Sequence, residues 1–257
     1  MEICSLHPIE PEVARRYVAA LTGGATGEEL APAAPAWGER LLAQARRGYE
    51  RALAGSESGA DAVSFGLGQV LATVEPSFVL PSAGLTIWEA RLDRGVGMLL
   101  RPPSRLFDRL GLDERVARMM PIRLDLSRGT MGGAFVPDRL VPDLLRFMES
   151  KTDRELRRLA QAELDGVAVL GTMIEACRYA AARGLGLYEV MDAITAEAPE
   201  ANPPGARIVV ADRKALDPAL RRQLEEAAKR AKPPGFFARL LGRRGHAPFP
   251  GDGRVRR

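Results

Sequence analysis

Apolar residues recur every three or four positions in two segments near the start of the chain, which is the spacing of a helix with one buried face. The first segment begins at Pro11, a residue favoured in the first turn of a helix, and stops at Gly23. The second segment runs from about Trp37 to Ala54. Residues 22–36 between them are rich in Gly, Ala and Pro, which predicts a connector.

The second half of the chain shows the same spacing over longer stretches. Apolar residues over 153–183 are three or four positions apart and predict one long helix, which follows a capping-box pattern at Thr152 and Glu155. Shorter helices are predicted within 187–194 and after Asp217, whose side chain suits the N-cap position. These helices are expected to pack on a sheet formed by the middle of the chain.

The middle of the chain is richer in β-branched and aromatic residues, with glycines and prolines between them. A hairpin is predicted from 85–92 and 96–101, and alternating apolar and charged residues over 122–126 predict a strand with one solvated face. A further strand is predicted at 207–211. Residues 63–74 have helical spacing but contain two glycines, so both structures stay open for them.

These elements predict an α+β fold with a mostly antiparallel sheet, built from residues 60–136 and the 207–211 strand. Helices from both ends of the chain are expected to cover the sheet, including the long helix near 153–183. The hydrophobic content of 46% is enough for one core and predicts a single globular domain over 1–232. Residues 233–257 are expected to form a basic flexible tail.

The positive charge of the chain is concentrated in that tail. The formal net charge is +4, and the tail contains six arginines and one aspartate, so residues 1–232 are close to neutral. A near-neutral body lacks the electrostatic footprint of a nucleic-acid-binding protein. Nucleic acid is therefore not expected as a ligand, and another protein is the expected partner.

Residues suited to catalysis or metal binding are scarce. The two cysteines, Cys4 and Cys177, are far apart and belong to no ligand pair, and the only histidines are His7 and His246. We therefore expect neither a disulfide nor a metal site, no cofactor, and a cytoplasmic location. Glu163 interrupts the apolar stripe of the long helix, where it would act as a general base, pair with an arginine or reach solvent.

A glycine-rich segment, 127–133, follows the predicted 122–126 strand. Glycines between a strand and a helix expose backbone N–H groups to an anion, although the spacing matches neither the P-loop nor the dinucleotide fingerprint. A structural turn with glycines at positive φ is the alternative. The candidate ligand-binding residues are Arg123, Asp125, Arg128, Gly129, Thr130, Gly132 and Gly133.

The tail contains a second candidate site within 235–244. Large apolar residues and arginines would segregate there if the segment formed a helix, a pattern typical of weak peripheral membrane anchors or partner-docking segments. The candidate contact residues are Phe236, Phe237, Arg239, Leu240, Leu241, Arg243 and Arg244.

The scarcity of catalytic groups favours a non-enzymatic binding, adaptor or regulatory protein. The first alternative is an enzyme, or a sensor of nucleotides or phosphorylated metabolites, that uses the 127–133 segment. The second is a protein that docks on a membrane surface or partner through 235–244.

Overall fold

The computed structural model describes residues 3–122, 133–195 and 198–231. Its five-stranded sheet has the order β3–β4–β1–β2–β5. β1 pairs antiparallel with both β2 and β4, β3 pairs antiparallel with β4, and β5 alone is parallel to its neighbour, β2. The predicted α+β class and mostly antiparallel sheet are therefore confirmed. The strands are β1 (Ile3–Ile9), β2 (Ser77–Pro81), β3 (Phe135–Val136), β4 (Gly186–Met191) and β5 (Ile208–Val210).

Helices cover both faces of this sheet and form two hydrophobic cores. One core contains Leu6 with Trp88 and Leu170, and the other contains Ile9 with Tyr17. None of the helices in the described ranges has the length and apolar character needed to cross a bilayer. The helices are α1 (Pro11–Leu21), α2 (Gly27–Leu30), α3 (Pro35–Leu53), α4 (Glu57–Val74), α5 (Leu85–Arg91), α6 (Pro103–Arg109), α7 (Glu114–Arg118), α8 (Val141–Ser150), α9 (Thr152–Gln161), α10 (Gly166–Arg183) and α11 (Pro218–Ala231).

The elements predicted from strong boundary signals are confirmed. α1 and α3 match the first two predicted helices, and β5 matches the predicted strand at 207–211. Asp217 caps α11, since its carboxylate accepts hydrogen bonds from the backbone N–H groups of Ala219 and Leu220 at 3.0 and 2.9 Å. Boundary residues therefore located these elements correctly, because they fix the backbone groups that a helix end leaves unpaired.

The single long helix predicted near 153–183 is wrong. α9 ends at Gln161, the backbone of Glu163 takes a φ of +59°, and α10 begins at Gly166. Asp165 starts the new helix by accepting a hydrogen bond from the N–H of Ala168 at 3.1 Å. The apolar stripe continues across this turn because both helices pack on the same core, which spacing alone does not distinguish from one helix.

Two further segments differ from the prediction, and the structure decides a third segment that the sequence left undecided. Residues 85–92, predicted as half of a hairpin, contain α5, and 187–194, predicted as a helix, contain most of β4. Residues 85–88 and nearly all of 187–194 are buried, and a short buried apolar run offers few solvated positions from which its period can be read. The segment 63–74, which was left open, lies in α4. Strand β1 was not predicted, although it lies at the centre of the sheet.

Candidate functional site

Most of the predicted site residues lie outside the described part of the chain, so the predictions about them are not tested. Of the glycine-rich segment, only Gly133 is described. Those outside the described ranges are Arg123, Asp125, Arg128, Gly129, Thr130 and Gly132, together with Phe236, Phe237, Arg239, Leu240, Leu241, Arg243 and Arg244 of the tail.

Gly133 packs directly on the backbone of β4. A Cβ atom at this position would overlap the carbonyl oxygen of Glu189, and the N–H of Glu189 donates to the carbonyl of Ala134 at 2.8 Å. Close approach to the neighbouring strand therefore requires glycine here.

We expect Gly133→Ala to lower the free energy of unfolding by about 3 kcal/mol, because the added methyl group has to displace backbone. The matched control is Gly184→Ala, where φ is +65° but no atom lies within 4 Å of the added Cβ. That change is expected to cost only about 1 kcal/mol. Urea denaturation measures both, and equal losses would contradict the packing argument.

Glu189, next to Gly133, is a fully buried carboxyl group on β4. It accepts hydrogen bonds from the N–H of Thr86 at 3.0 Å and from the Thr86 hydroxyl at 2.7 Å. Burial raises its pKa to about 7, against the opposing effect of the Thr86 hydrogen bonds. The carboxyl group thus joins the sheet to the first turn of α5, where its hydrogen bonds fix the position of that helix.

His7 and Cys4 do not form a site together. They point to opposite faces of β1: His7 lies between the hydroxyls of Ser5 (2.8 Å from Nε2) and Ser77 (3.1 Å from Nδ1), whereas Cys4 lies beside Ile87 and Met191. Burial lowers the pKa of His7 to about 3, so its ring is neutral at physiological pH. No cluster of potential metal ligands is found in the described ranges.

The remaining single candidates take structural positions. Glu163 is exposed in the turn between α9 and α10, which is one of the three outcomes considered for it. Arg178, which lies further along α10, pairs with Glu149 at 2.7 Å. Cys177 is fully buried in the core, and burial raises the pKa of its thiol to about 12.

An open cleft lies between the α8–α9 junction and α11, and we call it the α9 cleft. Its volume is about 520 Å³. The first turn of α9 forms one wall and carries no side-chain cap. The C-terminus of α8 lies at the same junction, so the two helix dipoles oppose each other there and the side-chain charges decide the electrostatics of the cleft. The lining residues are Glu149, Ser150, Lys151, Thr152, Asp153, Arg154, Arg157, Gln223, Ala227 and Arg230.

Positive charge is in excess in the α9 cleft. Its two carboxylates are already paired, Asp153 with Arg230 at 3.2 Å and Glu149 with Arg178 at 2.7 Å. Arg157 is exposed and makes no ion pair with a described residue, and the Lys151 ammonium lies 4.0 Å from the centre of the Phe147 ring. Two cations therefore face the cleft without a carboxylate partner among the residues described.

The fourth cation, Arg154, connects the α9 cleft to a buried pair of carboxyl groups. Its guanidinium forms an ion pair with Asp93, and its Nε lies 3.5 Å from Oε1 of Glu155. Arg158 lies 3.0 Å from the same Asp93 carboxylate. Glu155 also accepts a hydrogen bond from the indole N–H of Trp88 at 2.9 Å. We call Asp93, Glu155, Arg154, Arg158 and Trp88 the acid–arginine network.

The pKa values of the two carboxyl groups in this network are shifted in opposite directions. Burial, and then the neighbouring Asp93, raise the pKa of Glu155 to about 7, although the Trp88 hydrogen bond and Arg158 oppose this. Burial also acts to raise the pKa of Asp93, but the N–H of Gly95, the Glu155 carboxyl and the charge of Arg154 outweigh it and lower that pKa. A proton held by the pair near neutral pH therefore lies mainly on Glu155.

Sequence reasoning missed both the cleft and the network. The predicted capping box assigned Glu155 to the N-terminus of α9, whereas its side chain is buried against Trp88 and Asp93. The Thr152 hydroxyl donates back to the carbonyl of Glu149 at 2.9 Å and caps nothing. A usable signal was present in the basic residues Lys151, Arg154 and Arg157, whose spacing of three places them near one side of a helix.

No known protein family, curated protein or solved structure matches the chain significantly.

Proposed function

We propose that the chain is a non-enzymatic binding protein, of adaptor or regulatory type, that recognises an anionic group of a partner protein in the α9 cleft. The observation that carries this proposal is the excess of positive charge in the cleft. Arg157 and Lys151 face it without a carboxylate partner among the described residues. A phosphate or carboxylate group placed there would gain charge-assisted hydrogen bonds that the unbound protein lacks.

The chain around the cleft favours a polyanionic partner over a single small ion. α11 lines the cleft through Gln223, Ala227 and Arg230 and ends at Ala231, so the tail begins beside the cleft. The sequence of the tail contains six arginines. An acidic segment of a partner would interact with both, with an affinity that falls steeply as salt is raised.

The test uses a peptide that contains one phosphoserine between glutamates, titrated into the full-length protein by calorimetry at low salt. We expect Arg157→Gln and Lys151→Gln each to weaken binding about tenfold, because each removes a charged donor. The matched control is Arg47→Gln, an exposed arginine on α3, which should leave the affinity unchanged. Equal affinities in all three variants would refute the proposal.

Two further comparisons separate the alternatives. Binding to vesicles that contain phosphatidylserine, with no binding of the peptide, would favour membrane docking through 235–244. The enzyme or sensor alternative has one supporting observation, the titratable Glu189 beside Gly133 at the end of the glycine-rich segment. A thermal shift with a nucleotide or phosphorylated metabolite that Arg128→Ala abolishes would favour it over the adaptor proposal.

A further inference from the structure

The side chain of Arg154 contacts both the open α9 cleft and the buried acid–arginine network. It lines the α9 cleft with about 45% of its side chain exposed, and it pairs with Asp93, which is only 5% exposed. Two of its three guanidinium nitrogens, Nη2 and Nε, face Asp93 and Glu155 respectively. An anion that draws the planar guanidinium into the cleft therefore takes these donors away from the acid–arginine network.

The network has few other groups with which to compensate. Glu155 is faced by Trp88 from α5, by Asp93 from the segment after α5, and by Arg154 and Arg158 from α9 itself. Lys151 adds a more distant positive charge near Asp93. Oε1 of Glu155 is buried and makes no hydrogen bond of ordinary length with a described residue, since Arg154 and Arg158 lie 3.5 and 3.9 Å from it. When an arginine moves away, a proton on Glu155 is held by the neighbouring Asp93 carboxylate.

Charge balance determines the response to losing Arg154. With both acids ionised, the carboxylates of Asp93 and Glu155 are neutralised by the guanidinium groups of Arg154 and Arg158. If Arg154 turns toward an anion in the cleft, two buried negative charges face one positive charge. A proton from solvent on Glu155 restores neutrality at the least cost, because a buried unpaired charge is strongly disfavoured.

We infer that anion binding in the α9 cleft is coupled to proton uptake by Glu155, with Arg154 as the connecting residue. This inference rests on the proposed function and adds a regulation to it, since the cleft binds its anion more tightly as the pH falls through neutrality. The pKa of Glu155, about 7, places the transition in the physiological range. Arg154 and Glu155 act as positioning and coupling residues, while Arg157 and Lys151 supply permanent charge.

The experiment requires an anion that does not itself titrate, and inositol hexasulfate meets this condition. In the full-length protein we expect its affinity to be about tenfold higher at about pH 6 than at about pH 8, because loss of a neighbouring arginine raises a carboxyl pKa by about two units. Calorimetry in two buffers of different ionisation enthalpy should show uptake of a fraction of a proton near pH 7.

Three variants isolate the coupling. Glu155→Gln keeps an acceptor for Trp88 and should bind equally well at both pH values, and Arg154→Gln should also lose the pH dependence while binding more weakly. Glu149→Gln removes a cleft carboxylate that pairs with Arg178 and not with Arg154, and it should keep the tenfold ratio. Emission of Trp88 in a Trp37→Phe background reports Glu155 directly and should change on anion addition.

The possible failures are distinguishable. If inositol hexasulfate binds, but with equal affinity at both pH values and without proton uptake, the coupling is refuted and the proposed function stands. A pH dependence that persists in Glu155→Gln also refutes the coupling, because another group then titrates. If no binding is detected at either pH, or binding is insensitive to Arg157→Gln, both the coupling and the cleft are wrong.

Discussion

The buried His7 will lower the free energy of unfolding by about 4 kcal/mol as the pH falls from about 6.5 to about 3. The raised pKa values of Glu155 and Glu189 act in the opposite direction down to about pH 4.5, so the effect of His7 is measured as the difference between the wild type and a His7 variant. Burial lowers the pKa of His7 from 6.5 to about 3 in the folded protein. The unfolded chain therefore binds a proton over this range while the folded chain does not. The stabilisation is fully present above the unfolded pKa and is lost as the pH falls toward the folded one.

The measurement is a series of urea denaturations at stepped pH values. His7→Gln keeps polar atoms between Ser5 and Ser77 but does not titrate, so the stability of the wild type relative to this variant should fall steadily as the pH drops below about 6.5. His246→Gln, which changes the only other histidine, should retain the wild-type slope. Should His7→Gln not fold, the ring nitrogen shifts of His7 in the native protein supply the test. Protonation of that ring at about pH 6 would contradict the prediction.

Trp88→Ala should lower the free energy of unfolding by about 4 kcal/mol, the second large effect. Trp88 is fully buried in the core with Leu6 and Leu170, and its indole N–H is the hydrogen-bond donor to Glu155. Truncation therefore leaves a cavity and removes a partner of a buried carboxyl group. Trp88→Phe keeps most of the volume and should cost about 1 to 3 kcal/mol, which measures the loss of the hydrogen bond.

The other tryptophan provides the matched control. Trp37 is only partly buried near the start of α3, so Trp37→Ala should cost much less than Trp88→Ala. Chemical denaturation monitored by far-UV circular dichroism compares all three variants without depending on tryptophan emission. Similar losses for Trp37→Ala and Trp88→Ala would show that the core around Trp88 tolerates truncation, and the account of that core would be wrong.

The elements that sequence reasoning located correctly are those with amphipathic spacing and a boundary residue. α1, α3 and α11 each have an exposed face, so apolar and polar positions alternate with a readable period. β4 and α5 are buried over most of their lengths and offer no such alternation. β1 adds a different difficulty, because it combines polar Ser5 and His7 with apolar neighbours, and these polar residues are buried through partners distant in sequence.

The candidate site was less predictable than the fold, for a physical reason. The function of Glu155 depends on Trp88 and Asp93, which lie more than sixty positions earlier in the chain. The local pattern of Thr152 and Glu155 matched a capping box, so a short-range interpretation was available and wrong. The excess of cations on α9 was visible in the sequence, but only the packing of α11 beside it shows that they line a cleft.

The arrangement of the sheet has a consequence for synthesis on the ribosome. β1 ends at Ile9, and one of its two partners, β4, begins only at residue 186, so β1 is translated long before this partner. Until β4 has left the exit tunnel, one edge of β1 has no strand to pair with, and the apolar faces on either side of the incomplete sheet stay partly uncovered. Long-range pairings of this kind form slowly and expose aggregation-prone surface meanwhile. The nascent chain is therefore a strong client for chaperones that bind apolar segments, and dependence on them should end once residues 186–191 are available.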